Sequence, residues 1–215
     1  MAFDFSLVAD NYTAIAQGVG ITLLVTLAAF CFALILGITV GVLRSNGGIV
    51  EAILHIYVSL FRGTPLLIQL FIVYYGLPSI GINLGRYPAA VIALGLNAAA
   101  YISEIIRGSL QSVGKGQEEA AWMLGINRVE TIFFIVLPQA LRVSLPALVN
   151  TFTLILKDSS LISVLSIMEL TRVGQLIYTR TYKPFEVYVM VALIYYVLVM
   201  SVVALSKRLE KRMHF

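Results

Sequence analysis

The sequence predicts an all-α, polytopic membrane protein with five transmembrane helices. Of its 215 residues, 60% are hydrophobic and only 12% are charged, and the mean hydropathy is +0.93. Such a composition is typical of integral membrane proteins. The charges are also segregated, because long apolar runs alternate with short polar stretches, and a run of about 20 residues is enough to span a bilayer.

Two apolar runs come first, separated by a glycine-containing turn. No charged residue occurs between Asp10 and Arg44, which leaves room for a tilted spanning helix. The second run begins near Glu51 and continues to about residues 75–78, interrupted by Arg62-Gly63-Thr64-Pro65. The apolar part after the interruption is too short to span alone, so this helix has to include residues before it. The proline predicts a kink within the span.

Three further spans follow, and the last of them carries no charge. They run from Tyr87 to about Ile106, from about Leu145 to Leu165, and from Val187 to Ser206. With five spans, the two termini are expected on opposite sides of the membrane.

The two ends of the chain indicate its orientation. The first residues, MAFDFSLVADNY, are acidic and lack the basic region of a cleavable signal peptide, so the first run is expected to remain as a span. The other end is basic, with Lys207, Arg208, Lys211 and Arg212. The positive-inside rule then predicts an outer N-terminus and a cytoplasmic C-terminus. Against this stands a longer loop with Arg172, Arg180 and Lys183, which would lie outside and is expected to fold back into the protein.

Several classes of chemistry have no support in the sequence. The net charge of +4 comes from cations at the ends of apolar runs, which is typical of membrane anchors and not of nucleic-acid binding. Cys31 lies within an uncharged run and is expected to be a buried thiol. His55 and His214 are far apart and unsupported, so no metal site is predicted. No glycine-rich phosphate loop or catalytic triad occurs, so we expect no cofactor, no catalytic residues and no enzyme activity in this chain.

A polar stretch, KGQEEAAWMLGINRVETIFFIVLP, lies between the third and fourth spans at 115–138. Its charged residues predict that it lies in water, as two short helices. Glu119-Ala120-Ala121 is expected to open an amphipathic turn, Gly125 stands where a C-terminal cap is expected, and Asn127 can begin the next helix. Small side chains at Ala120 and Ala121 would let a partner approach closely, and Glu119 would offer a charge-assisted contact.

Polar groups inside the spans are the candidates for binding a substrate, because such groups are costly in a membrane. Lys157 and Asp158 are adjacent, and a cation beside an anion suits a zwitterion. If the fourth span begins near Leu145, Lys157 lies roughly 18 Å deep, close to the midplane. The alternative, that the pair binds other spans and holds the bundle together, stays open.

Uncharged polar groups provide a second set of candidates. They are Thr64, Gln69, Asn97 and Tyr101. For each of them, hydrogen bonding between helices is the competing interpretation, and Asn97 precedes alanines that favour close packing. Three charged residues, Arg62, Glu104 and Arg107, are interpreted mainly as structural ion pairs near the cytoplasmic face.

The polar stretch resembles the EAA loop of bacterial ABC importer permeases. In that loop Glu-Ala-Ala is followed by three residues, Gly, nine residues and Ile-x-Leu-Pro, as in 119–138 here. Other segments, over about residues 15–212, resemble permeases of the polar amino-acid uptake family. They are FRGTPL (61–66), QLF (69–71), YYGLP (74–78), NAAAY (97–101), ExxRG (104–108), GQxE (116–119) and LKDSSL (156–161).

The resemblance implies a type I ABC importer fold and a single permease domain, 1–215, in the bacterial plasma membrane. It identifies 115–138 as the cytoplasmic coupling loop, with Glu119, Ala120, Ala121 and Gly125 as ATPase-coupling residues. Implied partners are an ABC ATPase dimer that binds ATP and Mg, a second permease chain (a copy or a sister chain), and an extracytoplasmic solute-binding protein.

The implied cargo is a polar amino acid, of the cystine type or with a basic or amide side chain, moved by alternating access. Family substrate contacts carried to matching positions suggest Thr64, Gln69, Asn97, Tyr101 and Asp158. An opine, a metal complex or an organic anion is an alternative cargo. An ion-coupled carrier is a further alternative, although the inverted repeats it predicts are not found. A membrane-embedded enzyme would need a catalytic set that is missing.

Overall fold

The computed structural model describes residues 6–45 and 47–213, and the elements in these ranges are helical. They are, in order, α1 (Ser6–Ser45), α2 (Gly48–Gly63), α3 (Leu66–Phe71), α4 (Arg86–Ser112), α5 (Lys115–Met123), α6 (Arg128–Glu130), α7 (Leu137–Asp158), α8 (Leu170–Thr181) and α9 (Pro184–Met213). A π-helical turn at Ile72–Gly76 and a 3-10 turn at Leu77–Ile80 follow α3. A π-helical turn at Thr131–Val136 follows α6, and a 3-10 turn at Ser159–Leu165 follows α7.

Four helical stretches of the described chain are long and apolar enough to cross a bilayer. They are Ala9–Ser45, Arg86–Ser112, Arg128–Leu165 and Pro184–Arg208. The broken pair Gly48–Gly63 and Leu66–Ile80 makes a fifth when it is counted as one span, in agreement with the prediction. The break is where Pro65 predicted a kink. Thr64 is extended there, with φ −120° and ψ 148°, because a residue before proline disfavours the helical conformation.

The predicted start of the fourth span near Leu145 is wrong. The helix is already continuous from Arg128, and both Pro138 and Pro146 lie within it. The π-helical turn directly before Pro138 widens the helix where the ring needs room. Lys157 therefore lies roughly 30 Å beyond Leu137 along the axis, nearer the far end of the span than its middle.

The chain folds into two compact units. Unit 1 comprises the described residues of 1–31, 66–95 and 152–215, and unit 2 comprises those of 32–65 and 96–151. The core of unit 1 contains apolar side chains of α1, α8 and α9. They are Leu7, Ile15, Leu170, Val173, Ile177, Val187, Met190 and Val191. The loop that contains Arg172 is thus helix α8, packed on the protein as expected.

Close helix contacts hold each unit together. In unit 1, Thr22 Oγ1 accepts a 3.1 Å hydrogen bond from the Leu170 backbone N–H, which joins α1 to the start of α8. In unit 2, α1 and α4 approach at Gly37 and Gly41. A Cβ added to Gly41 would lie 2.8 Å from the Ser103 carbonyl oxygen. Only glycine permits this spacing.

Cys31 is exposed, contrary to the expectation of a buried thiol. It lies on one face of α1 with Leu27 and Ile35, which are 55% and 72% exposed. These positions are four residues apart and so lie above one another on the helix. In a membrane protein an apolar residue can face lipid as readily as protein, so composition alone does not predict burial.

Candidate functional site

Within the polar segment at 115–138, one helix ends and the next begins where the sequence predicts. Gly125 has φ +74°, and its N–H donates to the Trp122 carbonyl at 2.9 Å. The Ile126 N–H donates to the Ala121 carbonyl at 3.0 Å, which completes a Schellman-type helix end. Asn127 Oδ1 then accepts a 2.9 Å bond from the Glu130 N–H and caps α6.

The Glu119-Ala120-Ala121 motif, expected to open an amphipathic turn, lies inside α5. The helix begins at Lys115 after Gly114, so the motif lies in its second turn. Ala121 is buried within the chain, while Glu119 and Ala120 are exposed. Of the two alanines, only Ala120 is open to a partner in this structure.

Large apolar side chains follow the motif on the surface. Trp122, Met123 and Leu124 are 80%, 87% and 79% exposed. Beside them is a cavity of about 560 Å³ within unit 2, between α5 and the ends of α1 and α4. Its polar lining comes from Ser45, Gln111, Glu118, Glu119, Arg128 and Thr131. Exposed apolar groups in a stretch rich in charge are typical of a docking surface.

A cluster of charged side chains from α1, α2 and α4 lies in unit 2. Glu104 accepts hydrogen bonds from Arg44 at 2.6 Å and from Arg107 at 2.8 Å, and Arg62 lies 3.9 Å from the same carboxylate. The ion pairs expected of Arg62, Glu104 and Arg107 are thereby confirmed. Arg44 was missed, although it is buried and also contacts His55 Nδ1 at 3.3 Å. Its only sequence signal is a lone arginine at the end of a span.

Three predicted substrate residues belong to unit 2. Thr64 donates its hydroxyl hydrogen to the Leu60 carbonyl at 2.8 Å, a bond to its own helix α2 that tests neither the substrate role nor bonding between helices. Asn97 Nδ2 donates to the Phe61 carbonyl at 3.1 Å, and the Tyr101 ring lies under the Arg62 guanidinium at 5.3 Å. Asn97 and Tyr101 are therefore brought together against the end of α2.

The other three predicted substrate residues belong to unit 1. Gln69 is buried in α3, whereas Lys157 is exposed and Asp158 half-buried at the end of α7. The side chains of Lys157 and Asp158 thus remain accessible in the chain. Among the described residues, no three His, Cys, Asp or Glu side chains are placed to hold a metal ion, and His214 lies outside those residues.

A buried carboxylate in unit 1 was not predicted. Glu169 caps α8, accepting hydrogen bonds from the backbone N–H groups of Thr171 at 2.8 Å and Arg172 at 2.7 Å. Tyr195 of α9 donates to the same carboxylate at 3.0 Å. Burial raises the pKa of Glu169, and these hydrogen bonds oppose the effect. Glutamate is not among the favoured N-caps, which is why the pattern gave no signal.

Comparison with known proteins identifies relatives over the whole chain. Residues 33–215 match the family model described as "Binding-protein-dependent transport system inner membrane component". The chain is 39% identical to the L-cystine transport system permease protein of Bacillus subtilis (strain 168), covering 99% of this chain and 92% of that one. It is 34% identical to the glutamine transport system permease protein of Escherichia coli (strain K12), covering 99% of each.

Solved structures are similar as well. A crystal structure of an amino acid ABC transporter with histidines matches with a TM-score of 0.90 and 34% identity, covering 99% of this chain and all of that one. An inward-facing structure of the MetNI methionine ABC transporter matches with a TM-score of 0.79 at 23% identity, covering 94% of this chain and 96% of that one. The second likeness is evidence for the fold alone.

Proposed function

The chain belongs to the family of inner membrane components of binding-protein-dependent transport systems and is the permease subunit of an amino-acid ABC importer; we propose that it moves a polar amino acid into the cytoplasm by alternating access. The cargo is proposed to be of the cystine, basic or amide type. Relatives named for cystine and glutamine transport support this class.

The surface of 115–138 is the observation that carries the mechanism. We propose that this segment lies in the cytoplasm and docks on an ABC ATPase dimer, which binds ATP and Mg. Trp122, Met123 and Leu124 would be covered by the partner, and Glu119 would supply a charge-assisted contact beside them. Closure of the ATPases would then shift α5 and the spans that flank it.

Two further partners complete the proposed importer. A solute-binding protein would deliver the amino acid at the outer face. A second permease chain, either a copy or a sister chain, would complete the route through the membrane. The outer N-terminus and cytoplasmic C-terminus follow from the same arrangement.

Each unit is proposed to offer polar groups to the passing substrate. In unit 1, Asp158 suits an ammonium group and Lys157 a carboxylate, while Gln69 offers an amide. In unit 2, Asn97 and Tyr101 are proposed contacts, and Thr64 offers a hydroxyl at the α2 break. Exposure of Lys157 and partial exposure of Asp158 support the first pair.

Charge reversal at Glu119 tests the coupling role. Glu119→Lys is expected to abolish amino-acid uptake while membrane insertion stays intact, because the partner surface would meet a charge of the wrong sign. Glu51→Lys, the same change in the first turn of α2, is the control and should retain uptake. Normal uptake by Glu119→Lys would refute the proposed coupling.

Uptake assays test the cargo and the energy source. Cells expressing the importer should accumulate labelled polar amino acids only when the ATPase is present. Transport without an ATPase would instead indicate an ion-coupled carrier. Uptake of an opine, a metal complex or an organic anion with no uptake of polar amino acids would refute the proposed cargo.

A further inference from the structure

Arg62 is a cation of unit 2 whose charge is poorly neutralised. Its Nη1 lies 3.9 Å from Glu104 Oε1, an oxygen that already accepts a 2.6 Å bond from Arg44. The other oxygen of Glu104 is bonded to Arg107 at 2.8 Å. Three guanidinium groups therefore share one carboxylate. The Arg44 side chain is 3% exposed and that of Arg62 is 45% exposed, so the surplus charge is accessible at Arg62.

The position of Arg62 makes an exposed guanidinium costly in lipid. It lies in the last turn of α2, in a pair of helices that is bent by 107° at its break and is long and apolar enough for one span only when both parts are counted together. An arginine within a membrane span costs several kcal/mol if it faces hydrocarbon, so we expect Arg62 to face protein, water or an anionic group.

Polar groups of α4 hold Arg62 in place. Asn97, Tyr101 and Glu104 are spaced by four and three residues and so share one face of the helix. Asn97 fixes the backbone beside Arg62 by donating to the Phe61 carbonyl at 3.1 Å, and the guanidinium carbon lies 5.3 Å from the Tyr101 ring centroid. Contact with the ring leaves N–H groups at the guanidinium edge, where a carboxylate can bind in bidentate fashion.

We propose that Arg62, supported by the Tyr101 ring, receives the α-carboxylate of the transported amino acid. This inference rests on the proposed function and adds a specificity-determining residue to it. A substrate that crosses about 30 Å of hydrocarbon cannot keep one set of contacts, so a carboxylate contact in unit 2 is compatible with a separate one at Lys157.

Equilibrium binding to the purified permease–ATPase complex in nanodiscs, without the solute-binding protein, tests the proposal. The probes are labelled L-arginine, L-glutamine and L-cystine and their decarboxylated counterparts agmatine, γ-aminobutyramide and cystamine. The natural complex should bind at least one of the amino acids more tightly than its amine. Arg62→Gln should weaken binding of that amino acid by about 10- to 100-fold and leave its amine unchanged.

Two variants separate this effect from misfolding. Arg62→Lys keeps the charge but not the planar guanidinium, so its affinity for the amino acid should lie between those of the natural complex and of Arg62→Gln. Arg142→Gln removes an exposed arginine from the same unit and should bind all probes as the natural complex does. Equal losses for the amino acid and its amine would overturn the proposal, because they indicate a structural role.

The remaining outcomes distinguish the sources of failure. If the natural complex binds none of the amino acids, this inference fails, and the uptake assay decides separately whether the proposed function fails. If it binds one of them and Arg62→Gln keeps the preference over the amine, only this inference fails. Nanodiscs with and without phosphatidylglycerol test a lipid phosphate at Arg62. The proposal would also be overturned if the natural complex bound this lipid, Arg62→Gln did not, and amino-acid binding were the same in both.

Discussion

The close approach of α1 and α4 in unit 2 makes Gly41 intolerant of even one methyl group. A Cβ at this position would lie 2.8 Å from the Ser103 carbonyl oxygen and 2.9 Å from Ile106 Cβ. The oxygen belongs to the α4 backbone, so the clash can be relieved only by moving the helices apart. Overpacking of this kind costs about 1–3 kcal/mol. For a chain of this length, Gly41→Ala should therefore lower Tm by roughly 2–12 °C.

Gly108 of α4 supplies a matched control. A Cβ there meets nothing within 4 Å, and the residue is helical. Gly108→Ala should therefore be neutral or stabilise the chain by up to about 1 kcal/mol, because alanine is the better helix former. Both variants are compared by thermal unfolding of the purified protein in one detergent. An unchanged Tm for Gly41→Ala, or a larger loss for Gly108→Ala, would refute the packing of α1 on α4.

Three further predictions concern charges and caps. Glu104→Gln leaves the buried Arg44 without its 2.6 Å carboxylate partner and should destabilise the protein by about 3–5 kcal/mol, measured by thermal unfolding; an unchanged Tm would contradict it. Asn127→Ala removes the cap on the Glu130 N–H and should weaken α6 by about 1 kcal/mol, seen as faster hydrogen exchange of the Glu130 N–H; unchanged exchange would count against it. Burial raises the pKa of Glu169, so the folded chain binds this proton more tightly than the unfolded one. The free energy of unfolding should therefore fall as pH rises through the raised pKa, and Glu169→Gln should not show this fall. An equal pH dependence in the two proteins would refute the effect.

Local chemistry explains what could be predicted. Gly125 and Asn127 end one helix and begin the next because a left-handed conformation and a short polar cap act on neighbouring residues alone. Pro65 likewise breaks the second span through its own ring and the residue before it. Hydrophobic runs predicted the spans because the bilayer imposes one length on all of them.

Long-range packing explains what could not be predicted. Arg44 and Glu104 are 60 residues apart, so nothing local links them. The carboxylate of Glu169, which caps α8, is also bound by Tyr195 of α9, 26 residues away, so nothing local indicates this contact. Cys31 faces outward because its side of α1 carries exposed apolar residues, and apolar character does not distinguish lipid from core.

The side of the membrane on which 115–138 lies tests the coupling mechanism most directly. Leu124 is 79% exposed, so Leu124→Cys in a Cys31→Ala background presents one accessible thiol to a membrane-impermeant maleimide. We predict labelling in inverted membrane vesicles but not in intact cells, and protection of the thiol when the ATPase is assembled. Labelling in intact cells would place the segment outside the cell, beyond the reach of any ATPase, and would contradict the proposed function.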